Sequence, residues 1–161
     1  MVSPARLVNS PSLEKVPESL VEELRQIFFE AREEVFEDGM DSVFSRQLVD
    51  FMGSHGRLAI DILSGLLLLE KVNAEVAGEA LRHVGYIEHP STRPVRRRLL
   101  ERCLFGSSAR VRDGAIIGLA AMDDPQSIPF VEQAVERESI AELQEDMQAV
   151  LEQLRETLAE S

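Results

Sequence analysis

The sequence is poor in the residues that most often carry chemistry. It has one cysteine, one tyrosine, three histidines and no tryptophan, and aromatics make up 5% of its 161 residues. A lone thiol, Cys103, can form neither an internal disulfide nor a multi-thiolate metal site. His55, His83 and His89 offer no metal-ligand spacing, since His83 and His89 are six apart and do not share a helical face. No metal and no cofactor is expected. Basic residues are also few: 17 Lys and Arg stand against 29 Asp and Glu, a net charge of −12. Such a chain repels phosphate backbones on average, which counts against nucleic acid as the default partner. The most apolar run, Leu58 to Leu69, is too short for a bilayer and carries Asp61, so it reads as a buried helix. Met1 to Ser12 lacks the basic start and apolar stretch of a signal peptide, and the expected location is the cytoplasm. There is no Gly-rich phosphate loop and no nucleophile elbow.

The apolar fraction of 44% is ample for a core. Leu, Val and Ala dominate it, which suits helix-on-helix packing better than a sheet, and no stretch alternates with period two long enough to argue a strand. Met1 to Asn9 has no clear period and reads as a loose arm. Ser10-Pro11 resembles a cap with Pro at the first helical position. Pro17 opens a longer helix through Leu20, Leu24, Ile27, Phe28, Ala31 and Val35, which Gly39 is expected to end. Asp41 is the expected cap of the next helix, which carries Val43, Phe44, Leu48, Phe51 and Met52. Ser54, His55 and Gly56 form a break. Leu58 to Glu70 is apolar on most sides, hence packed between neighbours. Asn73 caps a helix to about Tyr86, Pro94 sits in the first turn of the following one, and Gly106-Ser107 separates that from a helix ending near Met122. After the turn Asp123-Asp124-Pro125, Ser139 with Glu142 fits a capping box for a last helix to about Leu158.

Three helices share an apolar frame: Val76-Ala80-Val84-Ile87, Val111-Ala115-Leu119-Met122 and Leu143-Met147-Leu151-Leu154, starting 35 and then 32 residues apart. Pro90, Pro94 and Val95 align with Pro125, Pro129 and Phe130 at the same offset of 35. One helical hairpin cannot bury its apolar stripe alone, whereas stacked hairpins bury a continuous one. Ala109-Arg110-Val111-Arg112-Asp113-Gly114-Ala115, continuing to Leu119, resembles the second-helix pattern of HEAT repeats. Asp124 to Pro129 resembles their turn and Pro-containing first helix. The likeness is greatest to short bacterial HEAT-like repeats, including those of phycobilisome-lyase-type proteins. Ala109 and Ala141 depart from it where the family often has an acid, as does Gln144 where it has Arg. The resemblance implies an all-α solenoid of about four hairpins (10–55, 56–88, 91–122 and 125–158), forming one domain over residues 10–158. It also implies a scaffold, and the expected function is a non-catalytic interaction scaffold or regulatory adaptor that holds a protein partner through the inner helices and the Arg-rich helix. The alternatives are an accessory or maturation factor of lyase-like type, and anion or nucleic-acid binding through Arg93 to Arg112. Self-association through exposed solenoid ends stays open.

If the family geometry holds, the inner surface carries Gly78 and Arg82, then Asp113 and Ile117, then Glu145 and Ala149, so Arg82, Asp113, Ile117 and Glu145 are the candidate protein-binding residues. Ser91 to Arg112 holds seven arginines against Glu101 alone, +6, leaving −18 elsewhere. At about 100° per residue, Arg97, Arg98 and Arg102 point away from the core. They form either an anion- or partner-binding patch or a charge balance for the acidic hairpins. Arg96 falls on the apolar side, where Val131 stands in the next repeat, and is expected to pair with a carboxylate. Glu75, Arg110 and Glu142 align as an inter-repeat ladder. Cys103 is expected buried and inert, and Phe28, Phe36, Phe44 and Phe51 are expected in the N-terminal core.

Overall fold

The computed structural model describes residues 16–37 and 39–161, and the expected arm over residues 1–9 and the helix start at Ser10-Pro11 lie outside them. Among the described residues there are eight α-helices and no strand: α1 Glu18–Ala31, α2 Val43–His55, α3 Arg57–Leu69, α4 Ala74–Tyr86, α5 Arg93–Cys103, α6 Ala109–Met122, α7 Ile128–Arg137 and α8 Ala141–Glu160. They stack in two layers. In the first, α1, α3 and α5 touch in succession; in the second, α2, α4, α6 and α8 do. The three aligned apolar frames lie in that second layer, the one the family resemblance implies is inner and so called below, and are buried from Val76 to Leu154, with Ile87 and Val111 partly covered.

Local chemistry sets the element ends, in places one or more residues from expectation. α1 stops at Ala31 instead of continuing to Gly39, and Val35 is 86% exposed. The chain turns early because Glu34 reaches α2: its Oε1 accepts from the N–H of Val43 at 3.0 Å and its Oε2 from that of Phe44 at 3.2 Å. A carboxylate there satisfies two free N–H groups and faces the positive helix end. Phe36 is thereby laid against Phe44, which also meets Phe28 edge-on at 5.2 Å. Gly39, at φ +77°, serves the linker. The cap of α2 is Ser42, not Asp41: Ser42 Oγ accepts from Ser45 N–H at 2.9 Å while Ser45 Oγ accepts from Ser42 N–H at 2.8 Å. This reciprocal arrangement satisfies two backbone donors. The break before α3 is Gly56 alone, at φ +55° and ψ −129°.

Asn73 caps α4 through the N–H groups of Glu75 and Val76. α5 and α7 are each entered through a three-residue 3-10 turn, Pro90–Thr92 and Pro125–Ser127, with Pro in the first helical turn. α6 ends at Asp123 in the left-handed conformation, φ +50°, which costs a non-glycine residue about 1 kcal/mol. Two residues of α8 hold it there, Thr157 Oγ1 donating at 2.8 Å and Gln153 Nε2 at 2.9 Å to its carboxylate. The expected Ser139–Glu142 capping box does not form. The N-cap of α8 is Ile140, and Glu138 accepts the Ile140 N–H at 3.2 Å instead.

Candidate functional site

The inner layer is unevenly spaced, and four glycines are the reason. α4 and α6 make the most extensive helix contact in the described structure. Gly78 and Gly85 on α4 face Gly114 and Gly118 on α6, all buried. A Cβ at Gly78 would stand 2.7 Å from Arg110 O, and one at Gly118 would stand 2.7 Å from Leu81 O; at Gly85 and Gly114 the clash would be backbone on backbone. Helices come this near only where no side chain intervenes. Gly78, expected on the open inner face, is therefore part of the α4–α6 seam.

α2 has no such seam with α4. Gly53 on α2 is exposed and its Cβ position is open. A groove runs between the two helices as a cavity of about 280 Å³ and an adjoining one of about 250 Å³, sharing Val49 and His83 in their walls. Val49, 43% exposed, and Tyr86, 58% exposed, both line the larger one. Arg46, Asp41 and Asp50 surround the smaller. At the far end stand Glu88, His89 and Arg96.

A buried polar cluster orders the floor. Glu79 is buried in α4 and accepts from Arg82 Nε and Nη2, both at 3.1 Å, and from His83 Nε2 at 3.0 Å. Burial pushes the Glu79 carboxyl up, but the hydrogen bonds and charge of Arg82, with the bond from His83, hold it below the usual carboxylate range. The ionised carboxylate requires His83 to carry its proton on Nε2. Arg82 is thus a fixed element of α4, its side chain 12% exposed.

The other sequence-derived candidates divide by environment. Asp113 is half-buried and pairs with Arg110 at 3.2 Å; Ile117 is half-buried; Glu145 is exposed. Arg110 also pairs with Glu75 at 2.9 Å, so that rung of the expected ladder exists, whereas the second contact of Arg110 is Asp113 rather than Glu142. In the arginine-rich window, Arg97 is not a surface group. It lies 3.3 Å from Glu101 Oε2 and 3.4 Å from Asp124 Oδ2, although its Nε has no hydrogen bond of good geometry. Glu101 also accepts from Ser127 Oγ at 2.8 Å, and burial nonetheless pushes its carboxyl above the usual range. Arg93 donates to Met122 O, and Arg112 holds the buried Glu138 in a two-pronged pair at 2.7 and 3.0 Å. Arg98 and Arg102 are exposed, with no ion-pair partner among the described residues.

Arg96 corrects one expectation. It is buried, 2% exposed, but no carboxylate meets it. Its Nε donates to Thr92 Oγ1 at 2.9 Å, Nη1 to Val84 O at 2.8 Å and Nη2 to His89 O at 3.1 Å. Cys103 is buried as expected, and burial pushes its thiol up to about 11.

Sequence reasoning missed the groove. Val49 and Tyr86 fall on no shared periodic face and line one cavity only because α2 stacks on α4. A signal did exist for the seam: Gly114 and Gly118 stand four apart on one helix, as small residues do where backbones approach.

Among the described residues no helix is long and apolar enough to cross a membrane, and no group of three or more His, Cys, Asp or Glu could hold a metal ion. Two layers of stacked helical hairpins with a prolyl turn opening successive repeats define an α-solenoid. The family model of HEAT repeats matches residues 63–155, and the chain belongs to that family. HEAT repeats generally mediate protein–protein interaction, and proteins built from them are typically non-catalytic. No curated protein and no solved structure was found to match the chain.

Proposed function

We propose that this chain is a non-catalytic adaptor, a single repeat domain over residues 10–158 that holds a protein partner against its inner helices. The observation that carries the reading is the open α2–α4 groove, with the exposed apolar side chains of Val49 and Tyr86 at its walls. Exposed apolar side chains flanking a groove and rimmed by charge favour a protein contact. The contact surface extends along the layer to Ile117 and Glu145, with Arg82 and Asp113 held in place as its fixed polar groups. Arg98 and Arg102 supply a separate cationic contact on α5. Five of the seven window arginines already serve acceptors of this chain, which supports a protein partner over a phosphate backbone.

Cross-linking and co-purification from the native host test this, comparing the wild type with Val49→Asp/Tyr86→Ala and with Ile117→Asp/Glu145→Lys. Each pair should lose the same partner while keeping the wild-type melting temperature. Retention of every wild-type partner by both pairs would overturn the inner-layer reading. Retention by both, with loss on Arg98→Glu/Arg102→Glu, would move the site to α5.

A further inference from the structure

Arg96 is a buried cation in the wall of a cavity, and its three acceptors are all neutral: one hydroxyl and two carbonyls. A guanidinium has five N–H donors, so each terminal nitrogen keeps one beyond these bonds. A buried charge is ordinarily balanced by an opposite one, because desolvation is otherwise uncompensated. Here burial and the neighbouring Arg93 both push the Arg96 pKa down, and no carboxylate offsets them. The one acid in the cavity wall, Glu88, is exposed and outside ion-pair distance of Arg96. Glu79, the nearby buried acid, is occupied by Arg82 and His83. The rest of the wall is mainly apolar, with Met52, Ile60 and Ile87. The cavity, about 280 Å³, lies at the small end of ligand sites, which run from about 300 Å³ upward.

We infer that this cavity binds a carboxylate carried on a small apolar body, the anion balancing Arg96 and the apolar part lying against Met52, Ile60 and Ile87. A free small acid and the C-terminal residue of a peptide both present that chemistry. The site is the Arg96 end of the same α2–α4 groove, and the inference does not rest on the protein-contact reading, because only the carboxylate site requires an anion.

Two probe pairs test it on the full chain by NMR titration, following the signals of Met52, Tyr86 and Ile87: 3-phenylpropionate against 3-phenylpropionamide, and N-acetyl-glycyl-phenylalanine against its C-terminal amide. At least one carboxylate should bind about tenfold or more tightly than its own amide, a charge-assisted preference of about 1.4 kcal/mol. Binding by the first acid alone points to a free small molecule, and binding by the second alone points to a chain end. Arg96→Leu should abolish the preference. Because that variant also removes the bonds to Val84 and His89, Gly53→Leu is the second arm: its side chain enters open space at the cavity wall. That variant should keep the fold and weaken the carboxylate about tenfold or more. The inference is overturned if neither carboxylate outbinds its amide to that extent, or if a well-folded Gly53→Leu binds as the wild type does.

Discussion

Two buried glutamates, both facing arginine, respond oppositely to their surroundings. Glu138 receives two short bonds from Arg112, and these hold its carboxyl below the ordinary range. Arg112 also binds Gly106 O at 3.0 Å, so this pair ties the start of α6 to the α7–α8 turn. Since its folded pKa is depressed, the stability from Glu138 is present above its unfolded value near 4.5 and is lost as pH falls through the folded value. Glu138→Gln should therefore cost about 2 kcal/mol at neutral pH, and the melting-temperature gap from wild type should close as pH drops below about 4.5. Glu101 runs the other way, because burial outweighs Ser127 and Arg97 and raises its folded pKa. Ionised Glu101 costs stability at neutral pH, so Glu101→Gln, which keeps an acceptor for Ser127, should melt at or above the wild-type temperature there. As pH falls through the raised pKa, the wild type takes up the proton in the folded state first and should gain on the variant. Melting curves from pH 3 to 8 read both signs at once. At this scale burial was legible where repeats align, as with Arg96 on Val131, whereas the partner was not. Besides Thr92 Oγ1, one turn back on the sequence, the acceptors of Arg96 are the Val84 carbonyl near the end of α4 and the His89 carbonyl in a loop, and backbone oxygens leave no mark in a sequence.

At the scale of elements, helix positions followed from apolar spacing and from Pro and Asn signals, so α4 to α7 agree closely with the reading of the sequence. What failed were ends decided by a distant group. α1 stops where Glu34 can reach α2, and α8 starts without its capping box because Glu138 is drawn into the pair with Arg112. The glycines of the seam failed differently: rotation places Gly78 opposite the core, and only the neighbouring helix buries it. Substitution separates the two kinds of glycine. In an exposed helix interior Gly→Ala gains up to about 1 kcal/mol from propensity, and Gly65, with an open Cβ position on α3, should show a small gain of this kind. Gly114→Ala would drive a methyl into the backbone of Gly78, and neither helix can yield without unpacking its apolar frame. A loss of about 3 kcal/mol is expected. Chemical denaturation of both variants checks this, and equal effects would mean that the seam is looser than the close approach implies.

For the molecule as a whole, a solenoid's stability is approximately a sum over repeats and nearest-neighbour interfaces. Here the interfaces are unequal. The α4–α6 seam lies in the middle of the array, while among the described residues α1 and α2 meet the remainder mainly through α3 and α4. Local opening should follow that inequality, since segments with fewer buried contacts exchange their amides sooner. Hydrogen exchange followed by mass spectrometry should find the slowest amides in α4 and α6, with α1 and α2 opening earlier as a unit. Equal protection of α2 and α6 would refute this gradient. The groove falls on the boundary between the two regimes, with α2 on the labile side and α4 on the stable one. An occupant that bridges them should slow exchange in α2 far more than in α4, because only α2 has stability left to gain from being held against its neighbour. An occupant on Arg98 and Arg102 would leave α2 unchanged, so the same measurement locates the partner as well as the weak hairpin.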